Sequence, residues 1–207
     1  MQKIRYGIIG CGSMGREHIE NIQALQATEV TAMADTHPES LAQAQALLKT
    51  PVPQFDNAQA LLDSGLCDAV VVATPNFTHV DVLKQALRTD LHILAEKPLC
   101  TKVADAHALV EQARGRQALT WVAQEYRYMP PVAEMIRMAH AGAVGQIHQV
   151  SIREHREPFY PKVDDWNRFS ENTGGTLVEK CCHYFNLMDF ILGEHPVRVF
   201  ASGEQRV

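Results

Sequence analysis

Along the first 123 residues the apolar positions fall into short runs, separated by stretches with helical spacing. Ile4, Tyr6, Ile8 and Ile9 form the first run, which is bounded by glycine and reads as a buried parallel strand. Met14, Ile19, Ile22 and Leu25 then recur at helix-like intervals. The same alternation continues, with strands predicted over 29–34, around Phe55, and over 69–73, 92–95 and 119–123. Between them lie helices over 38–48 and 57–62, one marked by Val80, Leu83 and Leu87, and one over 102–114. Asn57 is placed to cap the second of these and Gly65 to end it. The run Ala69-Val70-Val71-Val72-Ala73 is apolar throughout, which assigns it to the centre of a sheet. Strands alternating with helices predict an α/β fold with a doubly wound parallel sheet.

The pattern changes after residue 123. A helix is predicted over 131–141, ended by Gly142 and Gly145. Alternation over 147–157 reads as an antiparallel-type strand. Residues 158–175 are polar, aromatic and irregular; a helix over 176–192 follows, stopped by Gly193, and a further strand begins at Val197. Two domains are therefore expected, 1–123 and 124–207, the second of α+β type.

Composition narrows the class without naming it. The 207 residues are 46% hydrophobic and 21% charged, an ordinary globular balance, and the net charge of −5 gives no reason to expect nucleic acid. No apolar run reaches the roughly 20 residues that span a bilayer, so no membrane partner is expected. The chain enters its first strand at once, so no signal peptide is expected. The five cysteines form no spaced framework, which points to reduced thiols and a cytoplasmic setting.

Gly10-Cys11-Gly12-Ser13-Met14-Gly15 lies between the first strand and the first helix, the context a dinucleotide-binding G-x-G-x-x-G requires. Gly10 permits the tight turn, Gly12 lets backbone approach a pyrophosphate, and Gly15 lets helix and strand pack closely. The helix N-terminus beside Ser13 and Met14 offers N–H groups to the phosphates. Asp35 ends the second strand about twenty residues on, where a carboxylate accepts from ribose hydroxyls and repels a 2′-phosphate. It could instead cap the next helix. No arginine stands beside Thr36 and His37, so NAD is expected over NADP. In such a sheet, ligands sit beyond the carboxyl ends of the strands, where Gly10, Asp35, Thr74 and Lys97 all fall.

Five stretches in order resemble the Gfo/Idh/MocA oxidoreductases: GIIGCGSMG, ATPNFTH, AEKPL, EYRYMP and GGTLVEKCCHYFNLMDFILG. The resemblance covers the whole chain. It implies a Rossmann domain followed by a domain with a large, open, mostly antiparallel sheet, whose outer face commonly joins subunits into a homo-oligomer. Family members are typically longer, so this chain is expected to be a fragment or to have a shortened second domain. The resemblance also implies a cis bond before Pro98 and a catalytic role for Lys97, with Glu96 beside the cofactor. Lys97 would hydrogen-bond a substrate hydroxyl and help move its proton; the alternative is a salt bridge with Glu96.

Glu179 and His183, four residues apart on a predicted helix, project from one face. By the family pattern His183 is the proton acceptor and Glu179 orients it or holds a substrate hydroxyl, although the family more often has aspartate there. Glu179, Cys182 and His183, with His155, offer the atom types of zinc ligands, but their spacing matches no metal motif and no metal is expected. Thr74, Pro75 and Asn76 either line the cofactor cleft or serve as turn and cap residues. Arg127 anchors the domain junction or meets substrate. Tyr160, Trp166 and Asn167 fall where relatives build the substrate pocket, and Trp166 equally suits packing beneath a loop. The implied activity is an NAD-dependent oxidoreductase of the secondary alcohol of a polyol, cyclitol or sugar-like small molecule. The alternatives are a glycoside hydrolase that oxidises transiently through bound NAD, and a non-catalytic NAD-binding protein.

Overall fold

The computed structural model describes residues 3–155, 157 and 159–203. By contacts the chain forms two compact units, one of residues 1–123 with 158–180 and one of residues 124–157 with 181–207. The segment 158–180, assigned on sequence to the second domain, thus packs with the nucleotide-fold unit.

In the first unit, β1 (Ile4–Ile9), β2 (Thr28–Ala34), β3 (Gln54–Phe55), β4 (Ala69–Val72), β5 (His92–Ala95) and β6 (Thr120–Val122) form one sheet. Every pairing is parallel, and the order is β3-β2-β1-β4-β5-β6. That is the doubly wound Rossmann arrangement, whose order reverses between β1 and β4. The connecting helices are α1 (Ser13–Ala24), α2 (Pro38–Gln45), α3 (Ala58–Leu62), α4 (His79–Ala86) and α5 (Val103–Ala113). Asn57 caps α3, its side chain accepting from the Ala60 N–H at 2.8 Å. Helix α2 stops at Gln45, short of the predicted end, and a Gln45 side-chain oxygen accepts from the Val52 N–H.

Alternate residues of each central strand face opposite helix layers, which explains their unbroken apolarity. Ile9, Val70, Val72, Ile93 and Ala95 pack with Leu61, Leu83, Leu87 and Leu109 on one side. Ile8, Val71 and Met33 pack with Ile19, Ile22 and Ala44 on the other. Val70, Val71 and Val72 are wholly excluded from solvent, and each such side chain contributes about 1.5–3 kcal/mol of transfer free energy. The register aligns strand ends: Ile9 lies beside Ala34 and Val72, Val72 beside Ala95, and Ala95 beside Val122. The residues that follow these strands therefore emerge together at one sheet edge.

The second unit contains α6 (Pro130–His140), preceded by a 3-10 turn over Glu125–Tyr128. Within it, Ile136, Leu187 and Ile191 form a small core covered by Tyr126, Val132, Ile147, Val150 and Ile152. The strands expected over 147–157 and from Val197 are not present among the described residues. Apolar side chains from both of the alternating faces, Ile147 on one and Val150 and Ile152 on the other, pack against this core, so the pattern that read as a two-faced strand covers helices instead. A strand also needs a hydrogen-bonding neighbour, and none occurs there among the described residues. The antiparallel sheet expected to mediate assembly is correspondingly not seen among them.

The predicted helix over 176–192 is interrupted. Helices α7 (Ser170–Thr173) and α8 (Thr176–Glu179) belong to the first unit and α9 (Cys182–Leu192) to the second. Lys180 and Cys181 form a turn between α8 and α9 and belong to neither helix. Val178 packs on Gly174 in the first unit, whereas Leu187 and Ile191 belong to the second core, so the two parts of the expected helix serve different packing partners. No helix among the described residues is long and apolar enough to cross a membrane.

Candidate functional site

The shared sheet edge of the first unit is built around the glycine loop. Gly10 has φ +94°, and a Cβ there would lie 2.5–2.6 Å from the backbone of Ala73 and Thr74. A Cβ on Gly15 would lie 1.9 Å from the Gly10 carbonyl oxygen. Gly12 differs, because a Cβ there would meet nothing within 4 Å. Two glycines are thus filled by the protein itself and the third faces open space. Gly12 is the N-cap of α1, and no side chain caps this end. The first N–H groups of a helix lack intrahelical acceptors, so Ser13 and Met14 bring donors and the positive end of a twelve-residue helix to that opening.

Asp35 holds the loop against β2. Its Oδ2 accepts from the Cys11 N–H at 2.6 Å and its Oδ1 from the His37 N–H at 2.8 Å. The N-cap of α2 is His37, so Asp35 does not serve as that cap. Its charge stays at the end of β2, where the ribose of a dinucleotide is expected. Cys11 is buried, and burial, followed by the Asp35 charge, pushes its thiol up to about 12, which keeps it protonated.

Past β4, Thr78 Oγ1 lies 2.8 Å from both Thr74 Oγ1 and the Pro75 carbonyl, within hydrogen-bonding distance of each. Asn76 is buried, and its Nδ2 has no hydrogen-bond partner among the described residues. An unsatisfied buried donor costs about 1–3 kcal/mol, and a ligand that accepted from it would offset that cost. His79, fully buried, joins this loop to the next: Nε2 lies 2.9 Å from the Thr74 carbonyl and Nδ1 2.8 Å from the Pro98 carbonyl. A neutral imidazole donates from one nitrogen only, yet two acceptors face this ring. Burial lowers its pKa, against the raising effect of those same carbonyls.

Past β5, the Lys97–Pro98 bond is cis. Glu96 is buried; Oε1 lies 2.7 Å from His18 Nε2 on α1, and Oε2 accepts from the Lys97 N–H at 3.1 Å. Burial alone would raise this carboxyl, but the His18 hydrogen bond and charge and the Lys97 N–H and charge together leave it below its ordinary value. The Lys97 ammonium instead donates to the Glu179 main-chain carbonyl at 3.2 Å. Glu179 thus meets Lys97 through its backbone, where sequence reasoning looked to its carboxylate.

Residues 158–180 add to the first unit. Trp166 meets Phe77 edge-on at 6.3 Å, packing on the turn after Thr74 and Pro75. Asn167 is buried and its Nδ2 donates to the Tyr160 carbonyl at 3.0 Å, while its Oδ1 has no partner among the described residues. The Tyr160 side chain is exposed. Lys162, which sequence reasoning missed, donates to Ser13 Oγ at 2.5 Å. Only its position beside Pro161 in an irregular polar stretch marked it, and that signal is weak. His18 and His79 were also missed, because their partners lie far away in sequence or on the main chain.

His183 and Arg127 lie in the second unit. His183 is buried and stacked on Tyr126, ring centroids 4.1 Å apart, with Nε2 3.5 Å from Glu125 Oε1. Arg127 donates to Asn186 Oδ1 at 3.0 and 2.6 Å and sits over the Phe190 ring at 4.3 Å. Those contacts use its guanidinium in holding the unit together. Among the described residues, no group of three or more His, Cys, Asp or Glu is arranged to hold a metal ion.

Comparison with known proteins agrees with this geometry. Residues 4–124 match the oxidoreductase family with an NAD-binding Rossmann fold, and residues 136–207 match the C-terminal alpha/beta domain of the same family. Inositol 2-dehydrogenase of Rhizobium meliloti is 27% identical over 96% of this chain and 58% of its own length. Inositol 2-dehydrogenase 1 of Paenarthrobacter aurescens is 32% identical over 95% of this chain and 56% of its own length. Among solved structures, the WlbA dehydrogenase of Bordetella pertussis, in complex with NADH and UDP-GlcNAcA, superimposes with a TM-score of 0.77 at 25% identity, covering 92% of this chain and 56% of that one. The myo-inositol dehydrogenase of Lactobacillus casei, in complex with NAD(H) and myo-inositol, shares the fold at a TM-score of 0.76 and 22% identity, over 93% of this chain and 55% of that one. The chain therefore spans little more than half the length of these relatives. With both family domains matched over the Rossmann sheet and the segment after it, the chain belongs to the Gfo/Idh/MocA oxidoreductases.

Proposed function

We propose that this chain binds NAD at the edge of its parallel sheet and takes part in oxidising or reducing a secondary alcohol of a polyol, cyclitol or sugar-like substrate. The observation that carries the proposal is the convergence of the open Gly12 position, the unpartnered Asn76 donor and the Lys97 ammonium at that one edge. The residues suit a dinucleotide. Gly12 leaves the room a pyrophosphate needs, α1 presents N–H groups there, and Asp35 places a negative charge where a ribose would sit. Relatives whose names state an inositol dehydrogenase activity support the substrate class.

Bound NAD would supply the hydride acceptor or donor, and the protein the geometry and proton handling. Lys97 would hold the substrate hydroxyl and stabilise the charge that develops on its oxygen. Glu96 fixes the backbone at Lys97 through its N–H and is itself held by His18, so the lysine projects from a braced strand end. His183 is proposed as the proton acceptor, since an imidazole is suited to proton transfer near neutrality. Glu179 is proposed to position substrate or lysine, its carbonyl already receiving the Lys97 ammonium.

The test is reduced-nicotinamide absorbance after mixing the protein and NAD with a panel of cyclitols, aldoses and polyols, run in parallel on Lys97→Ala. A signal lost in the variant supports the proposal. Silence across the panel with NADH bound would refute the oxidoreductase reading for those substrates, and absence of NADH binding would refute the nucleotide site itself.

A further inference from the structure

The segment 158–180 packs on the first unit and brings a cation to a place where a cation is poorly placed by itself. Lys162 is half-buried, and its ammonium donates to Ser13 Oγ at 2.5 Å, at the first residue of α1. The N-terminal end of a helix carries partial positive charge, which disfavours a neighbouring cation. Burial and the charges of Lys97 and Arg16 all lower the pKa of Lys162, while Glu179 and Glu96 offset them in part. Arg16 Nη1 lies 3.1 Å from the Cys11 carbonyl within the same loop. Lys162, Arg16 and a helix N-terminus therefore converge beside the position where Gly12 leaves open space. An anion with more than one charge resolves that convergence. The segment is held in position by Trp166 on Phe77, by the Asn167 and Asn172 side-chain amides on the Tyr160 and Trp166 carbonyls, and by Gly174 against Thr101.

We propose that Lys162 is a cofactor-binding residue that closes the glycine loop from above, its ammonium engaging the pyrophosphate of the dinucleotide together with the Ser13 hydroxyl and the α1 N–H groups. Ser13, accepting from Lys162, retains its own hydrogen to donate to the same phosphate. The inference rests on the NAD reading above and adds a charged clamp, drawn from the segment after the second-unit residues 124–157, to a loop that otherwise binds through backbone alone.

The test is a fluorescence titration of NADH and a competition titration of ADP-ribose and adenosine, on the wild type, Lys162→Met and Lys162→Arg, with circular dichroism to confirm folding. The Lys162→Met change is expected to weaken NADH and ADP-ribose about tenfold or more, the worth of one charge-assisted hydrogen bond, and to reduce the salt dependence of both. Adenosine, which lacks phosphate, should be unaffected, and Lys162→Arg should retain affinity within about threefold, because it keeps the charge. Equal NADH affinity in the wild type and Lys162→Met would overturn the inference while leaving the NAD reading intact. So would an equal loss for adenosine, which would mean that Lys162 acts by holding the segment. A wild type that binds neither NADH nor ADP-ribose would take down the NAD reading and this inference together.

Discussion

Gly12→Ala separates the binding role of the glycine loop from its folding role. A Cβ at Gly12 meets nothing within 4 Å, and the backbone there, φ −67° and ψ −162°, is open to any residue. Replacing glycine by alanine at a compatible position gains about 0.4–1 kcal/mol from the unfolded chain. Alanine is a poorer N-cap than glycine by a similar amount, roughly 0.5–1 kcal/mol. The two terms nearly cancel, so the melting temperature should move by no more than about 2 °C. The methyl group would nevertheless occupy the space through which phosphate oxygens approach the α1 N–H groups. NADH affinity should fall at least about tenfold, equivalent to ~1.4 kcal/mol. Gly15→Ala is the contrasting control: its Cβ would lie 1.9 Å from the Gly10 carbonyl, so backbone must shift. Overpacking of that kind costs about 1–3 kcal/mol, and stability should fall along with binding. Thermal unfolding and NADH fluorescence on the same preparations read both effects. A Gly12→Ala protein that is stable and binds NADH as tightly as the wild type would refute the placement of the phosphates over this loop.

Three further outcomes are expected. Lys97→Met should reduce turnover by about a hundredfold or more, the typical contribution of a positioned proton-handling group, with NADH affinity nearly unchanged in the same titration. Asp35→Ala should raise the ratio of NADPH to NADH affinity by removing the charge at the end of β2. It should also lower stability by about 1–3 kcal/mol, because the N–H groups of Cys11 and His37 lose their acceptor; an unchanged cofactor ratio by competition binding would contradict the assignment. Stability should also fall in acid in two steps. His79 has a lowered folded-state pKa, so the unfolded chain binds its proton first, and stability declines as pH drops from about 6.5 toward the lower folded value. Glu96 is held below its ordinary value of 4.5, so its contribution is present above that pH and is lost as pH falls through the folded value. Melting temperature against pH should lose the first slope in His79→Gln and keep the second.

The parts of this fold that could be read from the sequence are those whose signal is local. Each strand of the parallel sheet is an apolar run because both faces of that sheet are covered, and the glycine loop declares itself by its place between β1 and α1. The registers of β1, β2, β4 and β5 then bring Gly10, Asp35, Thr74 and Lys97 to one edge, a consequence of parallel topology that sequence order alone implies. What was misread depends on partners that a local pattern does not specify. Residues 147–157 alternate as a strand does, but alternation records which side chains are apolar and not what they cover, and Ile147, Val150 and Ile152 cover a helical core. The spacing of Glu179 and His183 is right for one helical face, yet the helix breaks at Lys180 because its two parts are claimed by different packing units. His18, His79 and Lys162 were invisible for a related reason. Each acts on an atom outside its own element, Glu96 Oε1, the Thr74 and Pro98 carbonyls and Ser13 Oγ, and three of those four contacts are made where the partner's identity carries little or no signal, at main-chain oxygens and a loop serine. Residues that brace a site through the backbone leave almost no trace in one sequence. Lys97 was singled out from the sequence, yet the strand end that carries it is braced by Glu96 and, through Glu96, by His18, whose part in this no local pattern advertises.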